Sequence, residues 1–89
     1  MTVKFPLGGI YKTRGVMDSI PEDEMYIALE RHSHGDWGDL CPEDVRENEL
    51  SLEKGFRLFS AYTSKTGKRF WIITEADRSV TTILLPEEY

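Results

Sequence analysis

The hydrophobic positions of this 89-residue chain change period once. Before Gly55 apolar residues recur three and four apart, and after it they recur every second residue. Met25, Ala28, Leu29 and His32 fall at i, i+3, i+4 and i+7, the spacing that lines one helical face. Pro21 suits a first helical position, and Glu22, Asp23 and Glu24 set negative charge against the positive end of the helix dipole. A helix is therefore predicted over about Pro21 to Ser33, with Gly35 as its stop. Pro42-Glu43-Asp44 repeats that start, and Val45, Asn48 and Leu52 predict a further helix reaching about Lys54, closed by Gly55. Asn48, on the inward face, is expected to bond the backbone of a loop. Nearer the start, Thr13 reads as an N-cap with Val16, Met17 and Ile20 behind it, giving one or two turns that Gly15 weakens. Phe5 to Lys12 has strand-like bulk, but Pro6, Gly8 and Gly9 confine it to an edge or irregular strand.

Past Gly55, Phe56, Leu58, Ser60 and Tyr62 alternate with Arg57, Phe59, Ala61 and Thr63, and both sets carry aromatic bulk. That predicts a strand. Ser64 to Lys68 forms a hairpin loop, Arg69 to Glu75 the return strand, and Ala76 to Ser79 a turn into a last strand, Val80 to Leu85, closed by Pro86. The fold class is α+β: two or three short helices packed on a three- to four-stranded antiparallel sheet with a C-terminal β-meander. A chain of this length buries one core, so residues 1–89 read as one domain.

Composition narrows the classes. Apolar residues make up 39% and charged residues 30%, enough to fold, with no apolar run near the ~18 residues of a membrane span. Met1 to Phe5 show neither a signal-peptide core nor an Arg-rich transit helix, so a cytoplasmic location is the default expectation. Cys41 stands alone, which excludes an intrachain disulfide and any zinc site needing two thiolates of this chain. The net charge of −5 argues against broad attraction to phosphate backbones. Acids dominate between Ser19 and Glu53, whereas Arg57, Lys65, Lys68, Arg69 and Arg78 give the last third a local basic surface.

Candidate chemistry is sparse. His32, His34, Asp36, Asp39 and Cys41 lie close in sequence, but two histidines two residues apart leave a helix end in different directions. A half-buried His32 and a solvent-facing His34 are expected instead, with no metal and no cofactor. Trp37 sits in a glycine-flanked turn, Asp36-Trp37-Gly38-Asp39. It either packs beneath the loop, with Asp36 and Asp39 capping amides, or is displayed to a partner; packing is the preferred reading. Glu75 and Asp77 end a strand without a base-orienting histidine specified nearby. Asp77 is expected to accept amide hydrogen bonds in its turn, and Arg78 to pair with an acid or stay solvated. Lys68 and Arg69 precede Phe70 and Trp71, a basic and aromatic interleaving, but those two rings point to opposite strand faces, so at least one is core.

The combination of Arg31-His32 with Gly35-Asp36-Trp37-Gly38, Gly55 with Ser60-Ala61-Tyr62, and the run from Trp71 through Asp77-Arg78-Ser79 to Thr81-Thr82-Ile83-Leu84-Leu85-Pro86-Glu87-Glu88-Tyr89 resembles a family of short uncharacterised proteins from bacterial plasmids, integrated elements and phages. Its members are called plasmid-related proteins or type I restriction enzyme subunit M. The likeness covers nearly the whole chain; the N-terminal segment departs from it, since the family reads there as a helix of small residues. The resemblance implies a mobile-element setting and carries no activity. Neither a cofactor-binding glycine loop nor an Asn-Pro-Pro-Tyr motif is present, so the methylase label does not suit this chain.

The leading expectation is a non-enzymatic protein-interaction module whose partner is encoded by the host or the element, in a sharper form an inhibitor of host defence, with homodimerisation compatible with it. Its candidate binding residues are His32, Asp36, Trp37, Asp39, Asp77 and Arg78. The alternatives are a nucleic-acid-binding accessory protein using Arg57, Lys68, Arg69 and Arg78 and, last, a small hydrolytic or metal-dependent enzyme using His32, Asp36 and Asp77.

Overall fold

In the computed structural model, which describes residues 3–89, a four-stranded sheet is covered on one face by three helices. Met1 and Thr2, part of the segment read for a leader, lie outside the described residues. The order along the chain is β1 (Gly9–Lys12), α1 (Arg14–Ser19), α2 (Glu22–Ser33), α3 (Pro42–Lys54), β2 (Leu58–Thr63), β3 (Arg69–Thr74) and β4 (Val80–Leu84), then a 3₁₀ turn over Pro86–Glu88. Each helix starts where its cap residues place it: Thr13 accepts from the Val16 amide, Pro21 precedes the acidic first turn of α2, and Pro42 opens α3. No helix among the described residues is long and apolar enough to cross a membrane.

In space the strands run β1-β4-β3-β2. β2, β3 and β4 form the expected antiparallel meander, with Ala61 opposite Trp71 and Ile72 opposite Ile83. The fourth strand corrects the expectation of an antiparallel sheet: β1 lies parallel to β4, Gly9 beside Val80 and Lys12 beside Ile83. A two-residue period is the same read in either direction, so it does not specify strand sense. The strand predicted over Phe5 to Lys12 is also shorter, because the residues before Gly9 do other work. Phe5 packs into the core, and Gly8, at φ +67°, passes so close under the β3–β4 turn that an added Cβ would stand 2.3 Å from the Ser79 carbonyl oxygen.

The alternation in the strands separates two faces. Tyr62, Phe70, Ile72 and Ile83 point to the helices, as Leu58 does, and are buried with Val16, Ile20, Met25, Ala28, Leu29 and Leu85. Under the α2–α3 connection a second cluster joins Phe5, Trp37 and Leu58, flanked by Leu7, Leu40, Val45 and Leu52. Asn48 of α3 departs from expectation by bonding a strand instead of a loop: its amide group donates to the Phe59 carbonyl and accepts from the Phe59 N–H. It satisfies the β2 edge at that residue, and Gly38 pairs with Ala61 further along the same edge.

Candidate functional site

The candidate binding residues singled out in the sequence go to three places. His32 is fully buried, not half-buried, and anchors a chain of hydrogen bonds through the core. Its Nδ1 meets the Ser60 hydroxyl and its Nε2 lies 2.9 Å from the Thr74 hydroxyl, which is 2.7 Å from that of Thr81. Thr81 in turn donates to the Leu7 carbonyl at 2.7 Å. Because a carbonyl only accepts, the protons are ordered from that end as far as the imidazole: Thr81 to Leu7, Thr74 to Thr81, and His32 Nε2–H to Thr74. The relay fixes Nε2 as a protonated nitrogen, and the unprotonated state of Nδ1 follows from the burial of the ring, which disfavours its charged form. Burial, reinforced by the positive charge of Arg78, pushes the imidazole pKa down to about 3. A Ser–His contact suggests an activated nucleophile, but Ser60, His32, Thr74 and Thr81 are all 0% exposed and no carboxylate bonds the imidazole. This is a satisfied core network.

Trp37 is also core, at 4% exposure, which excludes its display to a partner. Its ring meets Phe5 and His32 at 6.2 and 5.6 Å between centroids, and its Nε1–H donates to Glu49 at 2.8 Å. The loop around it closes the β2 edge: the Ala61 N–H donates to the Trp37 carbonyl and the Asp39 N–H to the Ala61 carbonyl. Gly38, at φ +75°, allows this approach, since a Cβ there would meet the Ala61 oxygen at 2.0 Å. Asp36 forms a bidentate pair with Arg31, which holds its carboxyl below the usual range, and Asp39 accepts from Thr63. Among the described residues no group of three or more His, Cys, Asp or Glu side chains is placed to hold a metal ion.

Asp77 caps its own turn as expected, accepting from the Ser79 amide and hydroxyl, and these bonds lower its pKa. Arg78 does neither of the things expected of it. At φ +62° it occupies the left-handed conformation, and its guanidinium donates to the carbonyls of Ser51, Phe56, Glu75 and Ala76. It ties the end of α3 to the β3–β4 turn, and its charge is taken up by backbone oxygens. His32, Asp36 and Asp77 therefore do not share one site: their polar partners are Ser60 and Thr74, Arg31, and Ser79 respectively.

A further candidate surface lies on the helix-free face of the sheet. Phe59, Trp71 and Ile73 line a groove of about 320 Å³ there with Arg57 and Tyr89. The Phe59 and Trp71 rings meet edge to face at 4.9 Å, and Tyr89 lies against the other side of Trp71 at 5.8 Å. The Arg57 guanidinium donates to the Tyr89 hydroxyl at 2.8 Å and pairs with Glu75 at 3.2 Å. Tyr89 is held over the face because Glu88 accepts from the Thr13 hydroxyl at 2.5 Å and from the Gly15 and Leu85 amides, bonds that lower its pKa. Of the groove residues, Arg57 and Trp71 figured as sequence candidates only in the nucleic-acid reading, and Phe59, Ile73 and Tyr89 were not among the candidates. The signal was present, since both alternating sets of β2 carry aromatic bulk, so whichever set faces the helices leaves a ring on the other side. Compared with family models, with curated proteins and with solved structures, the chain shows no match.

Proposed function

We propose that the chain is a non-enzymatic protein-interaction module whose contact surface is the helix-free sheet face around Trp71. The observation that carries this is the grouping of Phe59, Trp71, Tyr89 and Arg57 around one groove. Large rigid rings with an arginine at the rim are the composition of interface centres, where a few such residues supply most of the affinity. The partner is a protein, host- or element-encoded, that inserts an apolar side chain beside Trp71.

In its sharper form the module inhibits a host defence system from a mobile element. α3 supports this with Glu43, Asp44, Glu47 and Glu53, all exposed, which suit a basic protein surface. The nucleic-acid reading is less favoured, because three of its four cations are engaged: Arg57 with Glu75, Lys68 with Glu87, and Arg78 with backbone carbonyls.

The test is protection of incoming plasmid or phage DNA in cells carrying active restriction or CRISPR systems, paired with co-purification of the targeted complex. Wild type is expected to protect and co-purify, Trp71→Ala and Phe59→Ala to lose both while still folding, and Met17→Ala, exposed on α1, to retain both. Equal co-purification by wild type and folded Trp71→Ala would remove the sheet face from the proposal. Absence of protection by wild type would remove the inhibitor form.

A further inference from the structure

The two edges of the sheet are treated differently. β2 is closed by Asn48 and the Trp37–Asp39 loop, whereas all four residues of β1 are exposed. The Gly9 N–H donates to Ser79 and the Thr13 N–H to Ile83, at 2.9 and 3.0 Å. Alternation along the strand then turns the backbone of Gly9, Tyr11 and Thr13 toward β4, and that of Ile10 and Lys12 toward the open edge. Two residues thus offer N–H and C=O groups in the pattern that recruits another strand.

We propose that this edge pairs with β1 of a second copy, antiparallel about Tyr11, joining two sheets into one of eight strands. Centring the two-fold axis on Tyr11 sets Ile10 opposite the partner copy's Lys12 and the reverse, so each pair exchanges two backbone hydrogen bonds and every open-edge group of Ile10 and Lys12 is used. The side chains agree with that register. Ile10 and Lys12 share the helix side with Thr81 and Ile83. There Ile10 lines, with Tyr26 and Leu29, a depression bounded by Lys12 and Glu22 at one end and by Leu7, Glu30 and Ser33 at the other. Ile10 and Tyr26 are 43% and 68% exposed, apolar surface that the second copy covers.

Charge selects a second copy as the occupant. Among the described residues of one chain, the cation lining the depression is Lys12, at the Glu22 end. In the paired register the incoming lysine lies opposite Ile10, two residues nearer the Glu30 end, and supplies the missing counter-charge at both symmetry-related sites. A lysine on an edge strand ordinarily opposes pairing; here it becomes a register contact. On the other face the two Tyr11 rings, 60% exposed in one chain, come side by side as a cross-strand aromatic pair.

Sedimentation equilibrium over a concentration series tests this independently of the Trp71 face. Wild type is expected to titrate from one chain to two. Lys12→Glu and Glu30→Lys should each weaken association by about tenfold, and the two combined should restore it. Ile10→Pro, which removes an open-edge N–H, should leave a single chain, with far-UV circular dichroism reporting that it still folds. A wild type that remains a single chain at the highest concentration would overturn the proposal. So would a dimer indifferent to the charge swap, which would locate the contact elsewhere; a single chain whose β1 amides become protected only when an extended peptide is added would assign the edge to a foreign strand.

Discussion

On the helix-covered face of the sheet, Ser60, Thr74 and Thr81 stand among Leu58, Tyr62, Phe70, Ile72 and Ile83; on the uncovered face, Thr63 and Thr82 stand among Phe59, Trp71 and Ile73. The residue types are similar, and what differs is the available partner. Beneath the helices each hydroxyl needs a bonded group because water is excluded, and His32 provides two contacts from the last turn of α2. On the open face Thr63 finds its partner in the Asp39 carboxylate at the β2 edge, and the Phe59 and Trp71 rings meet edge to face at half-buried positions. The covered face therefore specifies the fold, and the open face is free to serve a partner.

Removing His32 should break the covered face most severely. His32→Ala leaves a cavity and strips Ser60 and Thr74 of their imidazole contacts, for an expected loss of about 3–4 kcal/mol in urea unfolding. Retention of wild-type stability would show that the network is dispensable.

Acid acts on the same residue more gradually. The neutral imidazole holds a folded pKa of about 3 against the ordinary 6.5, so below 6.5 the unfolded chain binds a proton that the folded chain does not. The sign follows: stability is fully present above pH 6.5 and is lost as pH falls toward 3. Over that window the slope contributed by one proton is about 1.4 kcal/mol per pH unit. Urea midpoints from pH 7 to 4 check it, and a folded His32→Gln variant should show a flatter profile. Equal slopes would assign the acid sensitivity to carboxylates.

The β3–β4 turn gives a smaller effect that separates backbone from side chain. Arg78→Ala removes the guanidinium's carbonyl contacts but keeps a side chain at φ +62°, whereas Arg78→Gly removes the same contacts and accepts that φ freely. Thermal melts should rank wild type above Arg78→Gly above Arg78→Ala, with the alanine variant about 2 kcal/mol below wild type and the glycine variant recovering about 0.5–1 kcal/mol. Identical melts for the two variants would mean the positive φ carries no strain.

These features divide by how local their cause is. α2 and α3 were legible because cap, dipole charges and apolar stripe agree within one turn of each other, and the meander because its turns are short. His32 was placed on the correct stripe, yet its partners lie 28 and 42 residues away, and periodicity names a face without naming what stands opposite. The same limit hid the parallel sense of β1 and the bonding of Asn48 to β2. For Trp37 the preferred reading held, because the small core uses that ring. Arg78 was misread because carbonyl oxygens leave no trace in a sequence, and the open face was missed because a strand with rings on both sides does not say which side the helices take.

The smallest stability effect belongs to the open face. Trp71 is only half-buried, and the Phe59 and Tyr89 rings beside it can settle into the space it leaves. Trp71→Ala should therefore cost about 1–2 kcal/mol, well below the roughly 3–4 kcal/mol expected for a fully buried tryptophan. Binding should respond the other way, because a ring at the centre of an interface contributes through the partner surface it covers and not through its own fold. Titrating a captured partner, Trp71→Ala is expected to weaken affinity at least about thirtyfold, corresponding to roughly 2 kcal/mol. His32→Gln, compared at a pH where it is folded, should bind as wild type does. If Trp71→Ala instead lowered stability as much as His32→Ala and left affinity unchanged, the helix-free face would be a second core surface and the division between the two faces would collapse.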